Sequence, residues 1–174
     1  GQVSRQELLE HLHVHPRLPS AIPFVFKYYQ RDWGLCATQE LRDSLDEEAY
    51  RVVIRTRFEP GTLKVGEVVV PGQSEETFVL AAHLCHPAMV NDDLTGVVVG
   101  LQVVKELLAA PKPYYTYRLL ILPETIGSVA YLSHHEALIA KMVGGLFLEM
   151  LGADLPHSLQ GSFTPNSQPD RCFV

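Results

Sequence analysis

The sequence is poor in the features that mark secreted, membrane-spanning or nucleic-acid-binding chains. Its cysteines are only three, Cys36, Cys85 and Cys172. An odd and widely spaced set argues against a disulfide framework and suits a reducing compartment. No uninterrupted apolar run is long enough to span a bilayer, and the start of the chain lacks the basic-then-apolar order of a secretion signal. Positive charge is also scarce: 14 Lys and Arg stand against 20 Asp and Glu, interspersed, for a net charge of −6. With no basic stripe, neither nucleic acid nor an anionic membrane surface is an expected partner. Internal repeats and low-complexity tracts are missing too, so a cytoplasmic globular protein is the expectation.

What is present is enough to build a core. The 174 residues are 47% hydrophobic, which suits one domain or two small ones. Both ends read as cuts through a larger protein. The chain opens on a helical segment with no preceding Met and stops on the apolar pair Phe173-Val174 without a turn or cap. A truncated sheet leaves an exposed edge, and this makes a homo-oligomer an expectation.

The pattern divides near Pro71-Gly72, predicting a small subdomain over 1–72 and a catalytic core over 73–174. Ser4 followed by Glu7 forms a capping box ahead of Leu8, Leu9 and Leu12. Thr38 is placed to cap a second short helix carrying Leu41 and Leu45. The runs Tyr50 to Phe58 and Leu63 to Val70, joined by Glu59-Pro60-Gly61, predict a β-hairpin around a type II turn. From Thr77 the pattern changes to strand, helix, strand, helix, strand: strands at 78–82, 117–122 and 143–148, and helices at 94–108, 128–132 and 136–141. This alternation predicts an α/β fold with a mixed, largely parallel sheet flanked by helices, the first subdomain being a small β-rich insertion.

Ligands in such sheets sit beyond the carboxyl ends of the strands. Here each of the three strand ends is polar: His83, Glu124 and Glu149, with Asp92 and Asp93 leading into the first helix. Zinc takes histidine nitrogen and carboxylate oxygen, and a hydrolytic site keeps one coordination position open. Two ions can share a bridging carboxylate. A carboxylate outside the metal shell can serve as general base. On these grounds Asp92 is the expected bridge, His83 and Glu149 terminal ligands, His86 an alternative ligand and Glu124 the base, with one or two zinc ions.

The motifs Ala82-His83-Leu84-Cys85-His86-Pro87, Asn91-Asp92-Asp93-Leu94-Thr95-Gly96, Pro123-Glu124-Thr125-Ile126-Gly127-Ser128 and Glu149-Met150-Leu151-Gly152 together resemble the zinc exopeptidase superfamily of double-zinc aminopeptidases. They are closest to the aminopeptidase-like proteins associated with bacterial polysaccharide biosynthesis. The resemblance covers about Thr77 to Gly152, and Leu8 to Pro71 is similar to the β-rich insertion of that group. It implies a hydrolase that cleaves a peptide or small amide by metal-activated water. Three departures stand out. Cys85 replaces the Asp that orients the first His ligand, Thr125 replaces the second of two consecutive glutamates, and the last His ligand of the family would lie beyond Val174.

Structural readings compete with these roles. His83 fits a core histidine, Asp93 a helix cap, Cys85 a buried small apolar side chain, and Glu149 one half of a pair with Lys. His11, His13 and His15 alternate near the N-terminus as a weaker metal set. Trp33, Tyr28 and Tyr29 fit a core, or an aromatic platform beside the active edge. Two further functions stay open beside the hydrolase: a non-catalytic aminopeptidase-fold protein that binds glycan intermediates or partners, and a sugar N-deacylase.

Overall fold

The computed structural model describes residues 1–27, 30–87, 89–164 and 166–173. Tyr28, Tyr29 and Val174, which carry part of the aromatic-platform and chain-end expectations, lie outside them. The chain divides into two compact units, Gly1–Glu59 and Pro60–Val174.

The first unit holds β1 (Gln2–Ser4), α1 (Arg5–Glu10), β2 (Leu12–His13), β3 (Leu35–Cys36), α2 (Gln39–Asp43) and β4 (Ala49–Arg51). Both caps form as the sequence predicts. The Ser4 hydroxyl accepts from the Glu7 N–H at 3.1 Å, and the Thr38 hydroxyl from the Leu41 N–H at 3.1 Å. These contacts satisfy amides that a helix start leaves without an intrahelical acceptor. The predicted hairpin does not form. Instead β4 pairs antiparallel with β1, and β2 pairs parallel with β3. Among the described residues no glycine has positive φ, so Gly61 cannot complete a type II turn. Trp33 is half-buried, with its ring stacked on His11 at 4.1 Å.

The second unit is a mixed α/β layer structure. Its elements are β5 (Gly66–Val70), β6 (Thr77–His83), α3 (Leu94–Ala109), β7 (Thr116–Leu122), α4 (Ile126–His134), α5 (Glu136–Ile139), β8 (Met142–Phe147) and α6 (Gln168–Phe173). Strand order is β5-β7-β6-β8; β6 runs parallel to β7 and β8, and β5 antiparallel to β7. The strand predicted as one arm of a local hairpin is therefore an edge strand of this sheet, because its partner lies some fifty residues away at Ile121↔Gly66 to Tyr117↔Val70.

The two faces are covered by different connections. On one, Val70, Leu80, Leu119 and Leu148 pack with Val104 of α3. On the other, Leu120 and Leu122 pack with Tyr131 of α4. Successive side chains of β7 thus feed opposite layers, which is why the run 119–122 is apolar without alternation. The two connections leaving β6 and β7 lie on opposite faces, and such a divergence opens a crevice at the strands' carboxyl ends.

Helix α3 approaches the sheet along Gly96, Gly100 and Val104, its buried positions. A Cβ at Gly100 would lie 2.7 Å from a Leu119 methyl group, so the small residue sets the helix–sheet distance. The helix is apolar on its outer side as well, where Leu94, Val98, Leu101 and Leu108 are exposed. Among the described residues no helix is long and apolar enough to cross a membrane.

Glu67 of β5, Arg118 of β7 and Tyr131 of α4 form one network, with both Arg118 and the Tyr131 hydroxyl bonded to the Glu67 carboxylate. Burial pushes the Glu67 carboxyl up, but bonds from Tyr131 and Arg118 outweigh it and leave the group below its ordinary value of 4.5. Burial, then the Glu67 contact, pushes the Tyr131 phenol up to about 12. A depressed carboxyl stabilises the fold above its unfolded value and loses that contribution as pH falls below it. A raised phenol stabilises it below about pH 10 and loses the contribution as pH rises towards about 12. Thermal unfolding of wild type and Tyr131→Phe is therefore expected to differ most between about pH 5 and 10, and to converge above about pH 11. A difference in Tm that is unchanged from pH 8 to pH 11 would contradict this network.

Candidate metal centre

The site is assembled at the carboxyl ends of β6 and β8. His83 is the last residue of β6, and register pairs it with Leu122 of β7. Its side chain is 1% exposed. Asp92 lies in the loop before α3, and Glu149 follows β8. His83 Nε2 lies 2.8 Å from Asp92 Oδ1 and 3.6 Å from Glu149 Oε1. The three donor atoms lie within 4.8 Å of one another.

Two of these atoms are anomalous as ordinary protein groups. His83 Nε2 and Asp92 Oδ1 are both buried, yet neither has a hydrogen-bond partner. The 2.8 Å approach is close enough for a hydrogen bond but lacks the required direction, so it is a close contact and not a bond. Buried polar atoms without partners are costly. A shared cation removes that cost. Donors on one tetrahedral zinc ion with bonds of about 2.0–2.1 Å lie about 3.3 Å apart, and the observed 2.8 and 3.6 Å bracket that separation. The residues present fit the metal.

One carboxylate outside the cluster holds the backbone at or beside each of its members. Asp93 is fully buried. Its Oδ2 accepts from the His83 N–H at 3.1 Å, and its Oδ1 from the N–H groups of Gly96 and Met150, each at 3.0 Å. It caps α3 as the sequence predicts, and it also ties together the end of β6 and the turn after Glu149. Gly96 permits this: a Cβ there would lie 2.2 Å from the Leu148 carbonyl oxygen and 2.5 Å from the Asp93 carboxylate. The Asp92–Asp93 peptide is cis. A second tie runs from Asn91, whose side-chain oxygen accepts from the Gly152 N–H at 2.8 Å, while the Thr95 hydroxyl donates to the Asn91 carbonyl at 2.7 Å.

The remaining candidates divide. His86 Nε2 lies 3.5 Å from the other Asp92 oxygen. Its bond to the Pro87 carbonyl raises the pKa of His86, burial opposes this, and the charges of Asp92 and Glu124 add to the rise. Glu124 is exposed and joins neither group of converging donors among the described residues. It borders the site, since its charge reaches His86. Cys85 is exposed, contrary to the expected buried position, and its sulfur lies 3.2 Å from His83 Nδ1. Cys85, His83 and His86 form a second group of clustered donors. Glu149 has no Lys partner among the described residues, and its carboxylate faces His83 Nε2 instead. His11, His13 and His15 form no donor cluster among the described residues.

Both site glutamates immediately precede a non-glycine residue with positive φ, Thr125 at 59° and Met150 at 51°. At Thr125 the Ile126 N–H bonds back to the Glu124 carbonyl at 2.6 Å, closing a three-residue turn of the rare positive-φ kind. For a β-branched residue this conformation costs about 1–3 kcal/mol, and such strain gathers at sites that need a side chain aimed. An open apolar cleft of about 400 Å³ lies on the α4 face between Val79, Leu120, Tyr131 and Gly145. None of the clustered donors lines it.

Comparison with known proteins assigns the family. A family model described as "Domain of unknown function (DUF4910)" matches residues 14–174. The chain belongs to the DUF4910 family. It is 38% identical over 146 residues to a Clostridium acetobutylicum protein described as "putative polysaccharide biosynthesis protein with aminopeptidase-like domain", covering 84% of this chain and 33% of that one. The crystal structure of a "putative peptidase" from Clostridium acetobutylicum aligns with 36% identity and a TM-score of 0.67, over 88% of this chain and 36% of the other. The chain thus spans about a third of the length of the relatives it matches. The mixed α/β architecture is that of a peptidase-like fold.

Removing the Asp93 carboxylate leaves three amides without their acceptor, each costing about 1–3 kcal/mol when buried. Asp93→Ala is expected to lower unfolding free energy by about 3 kcal/mol or more in a urea titration. Asp93→Asn, which keeps one oxygen acceptor, is expected to lose less. An Ala variant within about 1 kcal/mol of wild type would show that the anchor is dispensable.

Proposed function

We propose that this chain carries the zinc centre of an aminopeptidase-like hydrolase of the zinc exopeptidase superfamily, acting on a peptide or small amide. The observation that supports this most directly is the pair of buried, partnerless atoms His83 Nε2 and Asp92 Oδ1 beside Glu149. His83, Asp92 and Glu149 would hold the ion, and His86, 3.5 Å from the second oxygen of Asp92, would be the neighbouring donor for a second. Zinc in such a site supplies Lewis acidity to the scissile carbonyl and lowers the pKa of water. Glu124, exposed at the same edge and outside the donor cluster, takes the proton from the attacking water and returns it to the leaving amine. The names of the relatives, aminopeptidase-like and peptidase, point the same way.

The proposal separates binding from proton transfer, and so do its variants. Zinc titration is expected to show binding in the wild type and its loss in His83→Ala. Glu124→Gln is expected to keep zinc while lowering kcat for aminoacyl anilide hydrolysis by about 10²–10⁴-fold. A protein that takes up no zinc and hydrolyses no amide would overturn the reading. Zinc binding with no turnover in any amide screen would favour a non-catalytic, glycan- or partner-binding descendant, for which the replacement at Thr125 already speaks.

A further inference from the structure

The imidazole of His83 is held on three sides. Asp93 fixes its backbone N–H, and the Phe147 ring lies against it at 6.2 Å and 24°. Its Nδ1 meets the Cys85 sulfur at 3.2 Å. Its Nε2 faces the Asp92 and Glu149 oxygens without donating to either.

A neutral imidazole carries one proton, on one nitrogen or the other, and the bond made by one nitrogen decides which electron pair the second presents. A proton on Nε2, only 2.8 Å from a carboxylate oxygen, is expected to be aimed at that oxygen; the geometry of the ring does not allow it. The proton therefore belongs on Nδ1, where the sulfur is its acceptor. We propose, resting on the metal-centre reading, that Cys85 is the positioning residue of His83: its sulfur accepts the Nδ1–H and so presents the Nε2 lone pair to an ion shared with Asp92 and Glu149. Metal-bound histidines ordinarily donate their other N–H to a carboxylate, a carbonyl or water, and loss of such a partner weakens metal binding about 10–100-fold. Here a thiol stands in that place. Cys85 is itself no ligand of the Asp92 and Glu149 centre, since its sulfur lies on the opposite nitrogen of the ring.

The test reads the proton and the metal separately. In the metal-free chain, kept reduced at about pH 8, long-range proton–nitrogen correlation is expected to place the His83 proton on Nδ1. Cys85→Ser should preserve that tautomer through its hydroxyl, and Cys85→Ala should move population to Nε2–H. A wild-type His83 protonated on Nε2 would overturn the proposal whether or not zinc binds. Zinc affinity is expected to fall about 10–100-fold in Cys85→Ala and to return within a few-fold of wild type in Cys85→Ser. Cobalt-loaded wild type is expected to show no sulfur-to-metal charge-transfer band. Unchanged affinity in Cys85→Ala overturns the positioning role, and a charge-transfer band overturns it by making Cys85 a ligand. A wild type that binds no zinc but carries the His83 proton on Nδ1 defeats the metal-centre reading, and with it the presentation of Nε2 to an ion, while the Nδ1–H to sulfur contact stands.

Discussion

The buried Asp93 carboxylate is the contact on which the site depends. It accepts from the amides of His83, Gly96 and Met150, which belong to three different segments of the chain. The three clustered donors are tied to those same points: His83 is one of the partners, Asp92 is the neighbour of the anchor, and Glu149 precedes Met150. A carboxylate is a strong acceptor, and bonds to a charged group are about twice as strong as neutral ones. Placing it on backbone amides fixes the chain path and leaves the side chains of its neighbours free to converge. The helix cap and the assembly of the candidate centre are thus one interaction.

Around this anchor the chain accepts local costs. Gly96 forgoes a side chain so that the start of α3 can meet the Leu148 carbonyl. Thr125 and Met150 adopt positive φ directly after Glu124 and Glu149. Asn91 and Gly152 lock the two loops together, and a Cβ at Gly152 would lie 2.5 Å from a Thr95 methyl. Strain at two strand exits and tight contacts between the loops they lead into describe a region shaped to aim side chains, with the plain parallel strands below serving as its support.

Much of the second unit is legible in the sequence because its strands are short apolar runs that end in polar residues and alternate with helices. Strands β6 to β8 and helices α3 to α5 fall within a few residues of the predicted spans. The chain before β6 is less legible. Gly66–Val70 and Ala49–Arg51 look like neighbours in a hairpin, but each pairs with a distant strand, and β-branched composition carries no information about the partner. Within the site, His83, Asp92 and Glu149 are visible as chemistry-bearing residues at strand ends. The triple duty of Asp93 is not, because a helix cap gives the same sequence signal. Asn91 and Thr95 also escape notice: the motif draws attention to its carboxylates, while its amide and hydroxyl do the tying. Cys85 is misplaced by the general tendency of thiols to be buried, which says nothing about a sulfur turned back to an imidazole.

The ends of β6 and β8 make strand length itself a chemical parameter. Register pairs Ala81 with Phe147, the last residue of β8; His83 ends β6 two residues past that pair, and Glu149 stands two residues past it, just beyond its strand. Consecutive residues of a strand point to opposite faces and advance about 3.3 Å. One residue added to β8 would carry the Glu149 carboxylate outward and turn it away from His83, whereas loops of unequal length can vary without disturbing that match. In this fold the ruler for the donor cluster is the sheet, and it is graduated in single residues.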